Sequence, residues 1–207
     1  DPHLTLKLSQ TIEQLIQALA KSQKYLKKRK FNKVQKWLGI DIEYGSSQIE
    51  YYKNLNELLD RADDLSQKLQ IEIQKSQARF KQLIGLRAKM FQYIVSAEEF
   101  LLEYPSFVKD IHPLDQFSER LSKKINTLYT LQASNDIAIT QMQLSQQLSF
   151  GLLDRFKEAQ QVLIPAWQYH VKQSRQSNST VELEKLDNSR ETLIRNLKKS
   201  LEKPSNS

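Results

Sequence analysis

From Leu8 to Leu26 the apolar side chains Leu8, Ile12, Leu15, Leu19 and Leu26 recur at steps of three, four and seven, which winds them onto one face of an α-helix. Gly39 and the run Gly45-Ser46-Ser47 then read as a break. Ser47 with Glu50 three residues later is a capping-box pattern, so a long helix is expected to begin at 47. Beyond it Tyr52, Leu55, Leu59, Ala62, Leu69, Ile73, Phe80, Leu83, Met90, Ile94, Ala97 and Leu101 follow alternating steps of three and four, with Ser66, Ser76 and Arg87 interrupting the same register. A heptad pattern held over some fifty residues corresponds to a helix of roughly 75 Å. Pro105 biases Tyr104 away from helical geometry and predicts an end near 103.

The pattern resumes after His112-Pro113, with Asp115 as a cap. Phe117, Leu121, Leu128, Leu131, Met142, Leu152, Phe156, Ala159 and Leu163 mark a second long helix over 115–173. Its middle is polar, with Asn135, Gln141, Gln143, Gln146 and Gln147, either a register-fixing layer or a partner surface. Pro165 lacks an amide donor and predicts a kink about one turn from the end. Ser179 with Glu182 repeats the capping box, and Leu186, Leu193, Leu197 and Leu201 line a final helix over 180–203. The fold class read from this pattern is all-α: an elongated antiparallel helical bundle with coiled-coil-like long helices. It forms one domain over 1–207, or the core of a longer protein.

Composition removes several chemistries. There is no cysteine among the 207 residues, hence no disulfide, thiolate metal site or cysteine nucleophile. His3, His112 and His170 lie far apart, and none of the four glycines forms a Gly-x-Gly phosphate loop. The acidic groups Asp60, Asp63 and Asp64, or Glu98 and Glu99, read as solvated helix faces. The expectation is a chain that is not an enzyme and needs no metal or cofactor. The longest apolar run, Val162 to Trp167, is far shorter than the ~20 residues of a membrane span, and neither end shows a secretory signal.

Charge changes the picture more. The formal net charge is +7, and residues 1–40 carry all of it, with eight positive side chains between Lys21 and Lys36. The rest of the chain is neutral. In "KKRKFNKVQKWLG", residues 27–39, Phe31, Val34, Trp37 and Leu38 would share a helical sector of about 120°, with Lys28, Arg29, Lys33 and Lys36 across from them and Lys30 intruding. Two readings stand beside each other. The apolar residues pack onto the bundle end and the cations are solvated, or Lys27, Lys28, Arg29, Lys30, Lys33, Lys36 and Trp37 form a contact for an anionic membrane or an acidic partner. Nucleic acid fits least, because the charge is confined to one segment without aromatic platforms along a groove.

"LSQQLSFGLLDRFKEAQQVLIPAW", residues 144–167, resembles the signature region of the TelA-type toxic-anion-resistance family, also called tellurite-resistance proteins. The likeness runs through Leu144, Gln146, Leu152, Asp154, Arg155, Phe156, Ile164, Pro165 and Trp167. Ala166 stands where the family pattern has leucine and Gln168 where it has lysine. The resemblance implies a bacterial cytoplasmic protein, all-helical, tied to tellurite and other chemical stress and working with protein partners. Soft tellurium chemistry favours thiols, which this chain lacks, so any resistance is expected to be indirect, as a scaffold or interaction component peripheral to the inner membrane. The alternative is a membrane-surface adaptor or structural coiled-coil protein unrelated to tellurite. A homodimer is compatible with either.

Overall fold

The computed structural model describes residues 2–26, 30–107, 116–176 and 179–202, and every regular element among them is helical. The elements are α1 (Pro2–Ala20), α2 (Ser22–Leu26), α3 (Lys33–Trp37), α4 (Ile40–Phe107), α5 (Phe117–Glu158), a π-helical turn (Ala159–Leu163), α6 (Ile164–Gln176) and α7 (Thr180–Leu201). Lys27, Lys28 and Arg29, the link through His112-Pro113 and the Asp115 cap lie outside the described residues. The all-α expectation holds, with long helices packed as a bundle.

The chain divides into two compact units, Asp1–Glu72 with Gln147–Ser207, and Ile73–Gln146. In the first, the α1 stripe of Leu8, Ile12, Leu15 and Leu19 is closed completely from solvent, and α1 lies along α7, whose Leu193 and Leu197 are equally buried. Leu55, Ala62, Leu69, Phe156, Ala159 and Trp167 complete this core. Each fully buried Leu, Ile or Phe contributes about 1.5–3 kcal/mol relative to exposure. Ser179 caps α7 as its sequence predicts, its side chain accepting from the Val181 amide at 3.2 Å.

In the second unit the end of α4 faces the start of α5. Ile94 and Ile125 are buried, and the interhelical bonds are largely polar: Gln146 Nε2 to Ser76 Oγ at 2.9 Å, Asn135 Nδ2 to the Leu83 carbonyl at 3.2 Å, and Arg87 Nε to Asp136 Oδ1 at 2.5 Å. Asn135 and Gln146 thus reach the neighbouring helix, whereas Gln141, Gln143 and Gln147 face solvent. Leu131, expected on the apolar stripe, is exposed.

Several boundaries differ from the sequence reading, the first being that the stripe read from Leu8 to Leu26 is carried by two helices that part at Lys21. The long helix begins at Ile40, ahead of Ser47, because Gly39, alone among the described residues, adopts positive φ (71°) and turns the chain there. The Gly39 carbonyl accepts from the Ile42 and Glu43 amides, and Asp41 and Glu43 place negative charge in the first turn, where the helix dipole favours it. Gly45, Ser46 and Ser47 are ordinary helix interior. The helix also runs past Tyr104 to Phe107, with Pro105 in its last turn. Ahead of Pro165 the second long helix is interrupted by the π-helical turn, and the Ile164 amide reaches back to the Ala159 carbonyl. A proline lacks the amide that would bond the carbonyl four residues earlier and its ring crowds it; one widened turn absorbs both effects.

Candidate partner-binding surface

The basic segment enters the described structure at Lys30, which is exposed. Phe31 is half-buried, its ring edge-on to Tyr44 at 5.6 Å. Asn32 then starts α3, its amide donating to Gln35 Oε1 at 3.0 Å. The helix is a single short element with no buried residue. Lys33 and Lys36 are exposed, and so are the apolar side chains: Val34 at 67%, Trp37 at 84% and Leu38 at 60%. Packing of Val34, Trp37 and Leu38 onto the bundle end is therefore overturned; of the four apolar residues only Phe31 is partly covered.

The physical reason lies in the two breaks. Residues 30–32 are non-helical and Gly39 ends α3, so no continuous amphipathic helix lays its apolar sector on a neighbour. The segment instead presents an indole and aliphatic side chains to solvent beside lysines. Ile42, in the first turn of α4, adds a further exposed apolar group at 72%. Ile40 and Ile42 fall between Gly39 and Gly45, which read as a break in the sequence; an apolar pair directly after the turning glycine is the available signal.

The residues of the 144–167 stretch take other roles. Leu152, Phe156, Ile164 and Trp167 are core, Leu144, Asp154 and Pro165 are exposed, and Gln146 bonds Ser76. Arg155 ties two helices together. Its Nε donates to the Gly151 carbonyl at 2.9 Å, and its Nη1 donates to the carbonyls of Lys199 and Glu202 at 3.3 and 2.5 Å. A guanidinium on the C-terminal carbonyls of α7 meets orphan acceptors and the negative end of the dipole together. The π turn presents Gln160 to α4, where it hydrogen-bonds Ser66 and Asp63.

Among the described residues no group of three or more His, Asp or Glu side chains is placed to hold a metal ion, and no helix is long and apolar enough to cross a membrane. No family model matches the chain, and no solved structure matches it. The chain is similar to protein KlaA of Escherichia coli, with 29% identity over 169 residues, covering 79% of this chain and 65% of KlaA.

Proposed function

We propose that this chain is a non-enzymatic interaction protein of a toxic-anion and chemical-stress resistance system, tellurite included, that works from the cytoplasmic surface of the inner membrane together with a protein partner. The observation that carries the reading is the exposed Trp37 flanked by Val34, Leu38 and Ile42 and by Lys30, Lys33 and Lys36. Rings and aliphatic groups that no neighbour covers suit the headgroup region, and each basic side chain near an anionic surface contributes about 1 kcal/mol. Lys27, Lys28 and Arg29 add to the local charge in sequence.

The resemblance of residues 144–167 to the TelA-type family supports the resistance role, and the similarity to KlaA over most of the chain is compatible with it. The absence of cysteine supports an indirect role, by recruitment or assembly rather than by reduction of a soft oxyanion. Complementation tests the proposal. In a tellurite-sensitive strain lacking the protein, the wild-type gene should restore growth, whereas a gene with Lys27, Lys28, Arg29, Lys30, Lys33 and Lys36 changed to glutamate should not. Equal growth with and without the wild-type gene would refute the resistance role, and equal rescue by both genes would refute the role of the basic segment.

A further inference from the structure

The unit Ile73–Gln146 is a pair of antiparallel helices with a thin interior. Its contacts run in opposite order along α4 and α5: Ser76 bonds Gln146, Arg87 bonds Asp136, and the Tyr104 ring meets that of Phe117 at 5.0 Å. Among its described residues Ile73, Ile94, Ile125 and Ile139 are the buried apolar side chains. Long helices draw most of their stability from packed faces, and four helices enclose a core that two leave open.

Helix α4 carries a second apolar row beside the one turned to α5. Ile84, Ala88, Phe91, Val95 and Leu102 follow steps of four, three, four and seven, about a quarter-turn around the helix from Ser76, Leu83, Arg87 and Ile94. Ile84 is 43%, Phe91 57% and Leu102 82% exposed, and Ala88 is open to solvent as well. Tyr129 of α5, itself exposed, donates to Glu98 Oε1 at 2.7 Å and so flanks the row on the same side.

The order of the row points to its occupant, because it is nearly symmetric about residue 93. Ile84 mirrors Leu102, Phe91 mirrors Val95, and Ala88 sets a small side chain opposite Glu98. Charge is mirrored with opposite sign. From Ile73 to Phe107 the cations Lys75, Arg79, Lys81, Arg87 and Lys89 all precede residue 93, and the acids Glu98, Glu99 and Glu103 all follow it. A second α4 laid antiparallel about residue 93 sets apolar against apolar and the basic half against the acidic half, whereas a parallel copy brings like charges together. Lys81 and Glu103 flank the row on the same edge, and in the antiparallel pairing each lies within about 3 Å of the level of its opposite in the second copy. We infer that a second copy of this chain docks on this face, through a two-fold antiparallel contact of α4 with α4 that joins the two units into a four-helix bundle.

Sedimentation equilibrium of the lipid-free full chain over a concentration series tests this. The expected mass approaches twice the 24.3 kDa of one chain. Phe91→Glu should leave a folded monomer, because the ring is exposed within the single chain. Lys81→Glu and Glu103→Lys should each weaken the dimer about fivefold, since the symmetry repeats the pair, and the double exchange should restore it. This charge exchange keeps the test decisive if the Phe91 variant does not fold. Leu86→Glu/Tyr93→Glu, exposed on the other edge of α4, and Trp37→Ala on α3 should leave the dimer unchanged. A monomer at every concentration would overturn the inference. So would a dimer that Phe91→Glu leaves intact, that the double exchange fails to restore, or that Leu86→Glu/Tyr93→Glu or Trp37→Ala abolishes.

Discussion

Helix α1 and the segment from Lys33 to Ile42 lie close together in sequence and both read as amphipathic, but the structure treats their apolar faces in opposite ways. The α1 face is sealed, with Leu8, Ile12 and Leu15 at 0% exposure, while Trp37 stands at 84%. Length accounts for much of the difference. A helix of 19 residues repeats its stripe often enough to lie along α7, whereas α3 has five residues and a glycine turn behind it. The lesson is that one hydrophobic pattern can build a core or leave a surface, and continuity of the helix separates the two.

Truncation on either side of this comparison should give opposite results. Ile12→Ala removes a fully buried side chain between α1 and its neighbours and should cost about 2–5 kcal/mol of stability in denaturant titration. Arg155→Ala strips the α7 terminus of its donor and should cost about 1–2 kcal/mol by the same measurement. Trp37→Ala and Leu38→Ala should change stability by no more than about 0.5 kcal/mol, because neither ring nor aliphatic chain loses a packed partner. A loss at Trp37 comparable to that at Ile12 would mean the indole is core and would break the comparison.

A smaller effect is expected at high pH. Burial raises the Tyr51 phenol above its ordinary value near 10, so the native group stays protonated where the unfolded one ionises. Its contribution is full below about pH 10 and is lost as pH rises from there toward the raised folded-state value. Wild-type stability should therefore fall more steeply above pH 10 than that of Tyr51→Phe. Parallel curves would contradict the buried placement of the hydroxyl.

Much of the fold was legible in the residues themselves. The stripe from Tyr52 to Leu101 is buried or half-buried at every apolar position named for it, because a heptad pattern depends only on helical geometry. The Ser179 cap was legible for the same local reason. The start of α4 was not, since Gly39 and Gly45 look alike in sequence and only the left-handed turn at Gly39 distinguishes them. The π turn was read as a kink because Pro165 announces a missing hydrogen bond without saying how the backbone absorbs it.

The candidate surface was half legible. The lysines and Trp37 were visible as a basic amphipathic stretch, but its apolar sector was drawn on a continuous helix, and the breaks at 30–32 and Gly39 decide what is covered. The contribution of Ile42 became apparent only with them. The burial of Arg190 on α7, 8% exposed, was hidden altogether, because a charged residue between Leu186 and Leu193 reads as the solvated side of a helix until its neighbours are known.

The most direct test of the surface is co-sedimentation with anionic and with neutral vesicles. It compares the wild type with a form in which Lys27, Lys28, Arg29, Lys30, Lys33 and Lys36 are changed to glutamate and with Trp37→Ala. The account predicts that the wild type sediments with anionic vesicles only, that charge reversal abolishes this, and that Trp37→Ala weakens it without loss of stability. Absence of wild-type binding to anionic vesicles, or equal binding by the charge-reversed form, would contradict it.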